Sequence, residues 1–190
     1  YLRFGSAGTG IGQAEAQPFL FGDGAFQHNG ALAPADRLRA ELTGEERASL
    51  RGSNDSELYF ARLRRAIDPG AAVDPARIAD AVASVRASYP DACLNAFLLT
   101  PTALVVVHSS ARRPAPLAAF AARGLDLADL PPGHGDDYNV LVTRLTATGA
   151  RVVATTGIPL DGWIPLPDDT VSLLPPESVA STPIPLRANV

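Results

Sequence analysis

The chain of 190 residues contains no methionine, one cysteine and one tryptophan, and aromatic residues make up only 6% of it. A single thiol, Cys93, excludes an internal disulfide framework, and the size suffices for one domain that buries about 70% of its unfolded surface without one. Lysine is also missing, and all sixteen basic residues are arginine. These are scattered among acids for a net charge of -4, which argues against nucleic acid as a partner. No apolar run approaches the roughly 20 residues of a membrane span, so the reading is a cytoplasmic protein without membrane attachment. With no methionine to start translation and Tyr1 at its head, the chain reads as processed or as lacking its true beginning.

What is present falls into two halves. Short strand ends at 1–7 and 24–29 enclose a loop with Gly8, Gly10, Gly12 and Gly22. Leu38 and Leu42 mark a helix from Pro34 to Leu42. A second helix starts at Ser53 or Asn54, with Glu57 three residues on as a capping-box partner, and runs to about Ile67. Asp74 before Pro75 announces a third, with Ile78, Ala81, Val82 and Val85 on one face, stopped at Tyr89-Pro90. The period then changes. Cys93–Leu99 and Leu104–His108 read as a hairpin, Tyr138–Leu145 and Arg151–Thr156 as another, and Val171–Leu174 as a last strand. Between the hairpins lies an irregular region, 112–137, with one helical turn at 117–120. From Pro175 the chain is a Pro/Ser-rich tail, leaving 1–174 as the domain. Helices followed by antiparallel strands give an α+β class.

Three local patterns carry chemistry. Arg3, close to Ser6, presents a planar fork that suits a carboxylate, or else it is a surface arginine. Asn29-Gly30 ends a strand. It is either a hairpin turn or, since Ala31-Leu32-Ala33-Pro34 leads into a helix, a side-chain amide and a backbone N–H aimed at one oxyanion. Asp55 in the first turn of a helix is either simply an acid stabilised by the helix dipole or, in a functional reading, a counter-ion for an ammonium group. Gly8-Thr9-Gly10-Ile11-Gly12-Gln13 lacks the last glycine of a dinucleotide loop, and His134-Gly135-Asp136-Asp137 lacks a second histidine at metal-ligand spacing. Phe4-Gly5-Ser6-Ala7-Gly8 fails the nucleophile-elbow pattern.

In order and context, Arg-x-x-Ser-x-Gly from Arg3, His28-Asn29-Gly30 at a strand end, and Gly52-x-x-Asp55-Ser56-Glu57 opening a helix resemble the class II glutamine amidotransferases. Gln17-Pro18-Phe19, the 94–99 and 151–154 strands and Trp163-Ile164-Pro165-Leu166-Pro167 resemble stand-alone bacterial members, a group that includes the γ-glutamyl hydrolase of ergothioneine biosynthesis. The resemblance implies a four-layer αββα sandwich of the N-terminal-nucleophile (Ntn) hydrolase type, incomplete at the N-terminus. It also implies a reaction in which a cysteine thiol opens a γ-glutamyl amide through a thioester. Arg3 and Ser6 would then hold the α-carboxylate and Asp55 the α-ammonium, with Asn29 and Gly30 stabilising the oxyanion. No metal or organic cofactor is implied; the partners are a small-molecule substrate and a separate synthetase or a second copy.

Three departures stand out: residue 1 is Tyr, Ala7 replaces a histidine, and Thr155-Thr156-Gly157 replaces a Ser-Glu pair. Cys93 sits in a predicted buried strand and is read as structural, so the 190 residues alone are expected to be inactive and prone to association through an unpaired sheet edge. A glutaminase subunit feeding a synthetase and a non-catalytic glutamyl-binding relative are the alternatives.

Overall fold

The computed structural model describes residues 12–68, 70–135, 137–175 and 183–187. Gly22, with a positive φ of 48°, and Asp23 turn the chain between β1 (Phe19–Phe21) and β2 (Gly24–Ala31), which pair antiparallel with Phe21 opposite Gly24. β2 runs on past β1 and pairs with β3 (Cys93–Leu99), Asn29 opposite Asn95 and Gly30 opposite Leu94. Asn29-Gly30 therefore lies inside a strand and makes no turn. β3 and β4 (Leu104–His108) form the predicted hairpin.

The later strands are β5 (Val142–Leu145), β6 (Arg151–Ala154), β7 (Ile164–Pro165), β8 (Thr170–Leu174) and β9 (Ile184–Pro185). Among the described residues two antiparallel sheets result, one in the order β1-β2-β3-β4-β8-β9 and the other β6-β5-β7. β5 starts at Val142, later than the sequence pattern suggests, because Tyr138 and Asn139 are bound elsewhere. The Tyr138 carbonyl accepts from Thr155 Oγ1 at 2.9 Å, and the Asn139 side chain reaches Arg113 O at 2.8 Å. Beyond Pro175, Ile184 pairs with Val171 and packs against the main core.

The helices are α1 (Ala35–Ala40), α2 (Gly44–Ala48), α3 (Asp55–Arg64), α4 (Pro75–Ser88) and α5 (Leu117–Ala122). α2 escapes the hydrophobic pattern because it buries nothing, yet Thr43 and Glu46 close a full capping box around its start. α3 ends three residues before the predicted Ile67, where Ala66 and Ile67 donate to carbonyls three residues back and tighten the last turn.

α3 and α4 cover one face of the large sheet. Strand alternation sends Phe26, Leu94, Leu98, Val105 and Val171 into that layer, where Phe26 stacks 4.7 Å from Phe60 and meets Tyr59 edge-on. Burying Phe26 completely stabilises the fold by about 2–3 kcal/mol. On the other face Val106 and Leu174 meet Leu141 and Leu166 from the segments of the small sheet. Among the described residues the layers run helices, large sheet, small sheet, an α+β architecture with antiparallel sheets.

Candidate functional site

The site forms where β2 ends and α3 begins. The Gln17 side chain imitates a neighbouring strand: its Nε2 donates to His28 O at 3.1 Å and its Oε1 accepts from His28 N at 2.6 Å. His28 thus spends its backbone groups on the edge facing away from β3. Alternation along the strand turns the Gly30 N–H to that same edge, since Leu94 opposite it gives its own N–H to Ser109 on the far side.

The His28 ring is buried on the helical face. Nε2 lies 3.0 Å from Cys93 O, which can only accept, so Nε2 carries the hydrogen and Nδ1 accepts from Ser56 Oγ at 2.9 Å. Burial pushes the imidazole below its usual 6.5, against the smaller upward pulls of the Cys93 hydrogen bond and the Asp55 charge. His28 is therefore a neutral strut joining β2, β3 and the first turn of α3. It also explains Gly30, because a Cβ there would stand 1.9 Å from Cys93 O and 2.7 Å from His28 Nε2.

Asp55 occupies the first position of α3, where Oδ2 accepts from Leu32 N at 2.7 Å. That bond brings the acid to the residue that follows the Asn29-Gly30-Ala31 strand end, and Asp55 Oδ1 has no partner among the described residues. Asn54 caps the helix by accepting from Glu57 N at 2.8 Å. Glu57 does not complete the predicted capping box. Its carboxylate accepts from Arg51 N and Gly52 N at 2.7 and 2.8 Å, while Asn54 N goes to Glu15. The box fails because Glu15, out of reach of any local pattern, takes the donor first.

Asn29 pairs with Asn95 and so points its exposed side chain to the face opposite His28, toward the small sheet. Beneath it Asn95 Nδ2 donates to Asn139 O at 2.7 Å and Asn95 Oδ1 accepts from Ser109 N at 2.9 Å. Cys93 shares this face. Its Sγ donates to Asn29 O at 3.2 Å and to Asn139 Oδ1 at 3.5 Å. Burial pushes its thiol up to about 11, so it is protonated and inert at neutral pH, the structural cysteine the sequence suggests.

Asp55 thus meets, through Leu32, the end of the strand that carries Asn29 and Gly30, with the Asn29 side chain on the opposite face of the sheet; Arg3 and Ser6 lie outside the described residues. Most of the 8–13 glycine motif lies outside them too, as does Asp136. His134 packs edge-on against Tyr138 and approaches Thr156 Oγ1 at 3.2 Å; among the described residues no three His, Cys, Asp or Glu side chains gather as metal ligands. A cavity of about 840 Å³ opens at the other end of α3, lined by Phe21, Thr43, Arg64 and Thr100. It holds none of the residues just described. Glu15 is the structural contributor that no motif contains, and His28, Ser56 and Gln17 stand in the motifs without a role read for them; the pairing of a buried polar side chain with a strand end is visible only in three dimensions.

No protein-family model matches this chain, and no curated protein matches it. Solved structures do. A glutamine aminotransferase class-II domain protein from Silicibacter pomeroyi matches over 89% of this chain and 71% of its own, with a TM-score of 0.57 and 18% identity. An allosteric regulatory enzyme of purine biosynthesis matches over the whole of this chain, which spans only 35% of that enzyme, with a TM-score of 0.61 and 19% identity. A predicted glutamine amidotransferase from Pseudomonas aeruginosa PA01 matches over 90% of this chain and 66% of its own, with a TM-score of 0.50 and 17% identity. At these identities the likeness is one of fold: the chain has the Ntn-type fold of class II glutamine amidotransferase domains.

Proposed function

We propose that this protein binds the glutamyl end of a γ-glutamyl amide and serves its hydrolysis by a cysteine thiolate. The observation that carries the reading is the bond from Leu32 N to Asp55, which sets a carboxylate beside the Asn29-Gly30 strand end. In this reading Asp55 takes the substrate's α-ammonium, with Arg3 and Ser6 on its α-carboxylate. The γ-carbonyl then falls near the Asn29 amide and the Gly30 N–H. A thiolate adds to that carbonyl carbon and the π electrons move onto oxygen, where those two donors stabilise the charge. Loss of one such donor in acyl-transfer enzymes costs about 10²–10³ in kcat. Collapse breaks the C–N bond, the nitrogen takes a proton and departs as ammonia or an amine, and water cleaves the remaining thioester to glutamate.

Cys93 does not fit the attacking role, being buried, protonated and hydrogen-bonded to Asn29 O. No other cysteine stands in the sequence, so the thiol is a group from outside these 190 residues. The substrates are glutamine or a γ-glutamyl conjugate of the ergothioneine-precursor kind, and released ammonia would serve a synthetase partner. The inert thiol equally favours a second reading, a glutamyl-binding domain that performs no chemistry. Calorimetric titration of L-glutamate, followed by assays of glutamine and γ-glutamyl amide hydrolysis, both on the full-length gene product, tests both. Binding with turnover supports the hydrolase, binding without turnover supports the second reading, and absence of binding defeats the two together.

A further inference from the structure

We propose that Glu15 is a positioning residue for Asp55 and thereby sets how tightly the site holds a substrate's α-ammonium group. The inference rests on the glutamyl reading of the site and adds a residue to it. Glu15 ends a single 3-10 turn, Gln13–Glu15, far in sequence from α3. Its Oε1 accepts from Ser53 N at 2.9 Å and Ser53 Oγ at 3.0 Å, and its Oε2 from Asn54 N at 3.1 Å and Asn54 Nδ2 at 2.8 Å. Asn54 Nδ2 also reaches the Glu15 carbonyl at 3.2 Å. Burial works to raise the Glu15 pKa, but the Ser53 and Asn54 hydrogen bonds outweigh it and hold the carboxyl below its ordinary range.

The contact is tight as well as polar. A Cβ on Gly52 would stand 2.8 Å from both Ala14 O and the Glu15 carboxyl carbon, so the loop before α3 is pressed against residues 14 and 15. Because Asn54 Nδ2 is committed to Glu15, Asn54 Oδ1 is left for Glu57 N, and this orientation starts the helix at Asp55. Glu57 grips the same loop from within through Arg51 N and Gly52 N. Of the two carboxylates, only Glu15 comes from another part of the chain. It ties the approach to the site to the helix that bears the ammonium-binding acid.

Titrations with L-glutamate and with glutarate, which lacks the amino group, separate this role from general loosening. For Glu15→Gln, which turns one acceptor into a donor facing donors, glutamate affinity falls about fivefold and glutarate affinity less than about twofold. Asn54→Asp keeps a good helix cap but loses the amide donor to Glu15, and gives the same selective loss even if Glu15→Gln folds poorly. Equal loss of both ligands, or no loss of glutamate, in the folded variants overturns the inference. Failure of the unsubstituted protein to bind glutamate, or unchanged binding in Asp55→Asn, instead overturns the glutamyl reading itself.

Discussion

On the helical face of the large sheet, Phe26 is enclosed by Phe60 and Tyr59, and the buried His28 ring bonds to a strand on one side and a helix on the other. On the opposite face Val106, Leu141, Leu166 and Leu174 form a much smaller apolar cluster, and Leu20 and Leu99 stand 69% and 54% exposed. On the proposed reading, the difference separates a platform from a working surface. Asn29 and Gly30 take their positions from the platform side, through His28, Ser56 and Gln17, while the Asn29 side chain projects from the other. A rigid backing under an exposed amide is what an oxyanion site requires.

The comparison breaks first, if it is wrong, in the cores. Phe26→Ala is expected to cost about 3–5 kcal/mol in denaturant unfolding, against about 2 kcal/mol for Leu166→Ala. Equal losses would mean that the two faces contribute alike. The next largest effect concerns pH. His28 holds its proton less well folded than unfolded, so its contribution is fully present above the unfolded value near 6.5 and is lost as pH falls below it. Stability should decline there by up to about 1.4 kcal/mol per pH unit, and His28→Phe should flatten that part of the profile measured by urea midpoints. A profile unchanged by the substitution would remove His28 from the buried, neutral strut role.

Two smaller effects sharpen the contrast. Asp55→Asn is expected to weaken L-glutamate binding about tenfold or more, while the unfolding midpoint moves little because Asn still accepts from Leu32 N. Leu99→Thr, on the exposed part of the small-sheet face, should change stability by less than about 0.5 kcal/mol. A large loss at Leu99 would show that this face is covered in solution.

Much of the platform was legible in the sequence because its signals are local. Asp74 before Pro75 caps α4 as expected, with Asp74 accepting from Ala76 N at 2.9 Å. Cys93–Leu99 and Leu104–His108 pair as their alternation suggests. Motif order singled out Asn29, Gly30 and Asp55, each of which alone has an ordinary explanation, and in the structure Asp55 bonds to Leu32, two residues beyond Gly30. What local pattern does not reveal is bonding across long separations: Gln17 standing in for a strand beside His28, Glu15 clamping Asn54, and Glu57 turned from the capping box to Arg51 and Gly52. α2 was missed for a different reason. It is short and buries no side chain, so hydrophobic periodicity has nothing to act on.

Backbone amide chemical shifts followed during titration with L-glutamate test the central claim most directly. The account predicts that Gly30 and Leu32 shift together along one binding curve, and that both responses disappear in Asp55→Asn. Shifts confined to the cavity around Phe21, Thr43 and Arg64, with Gly30 and Leu32 unmoved, would contradict it.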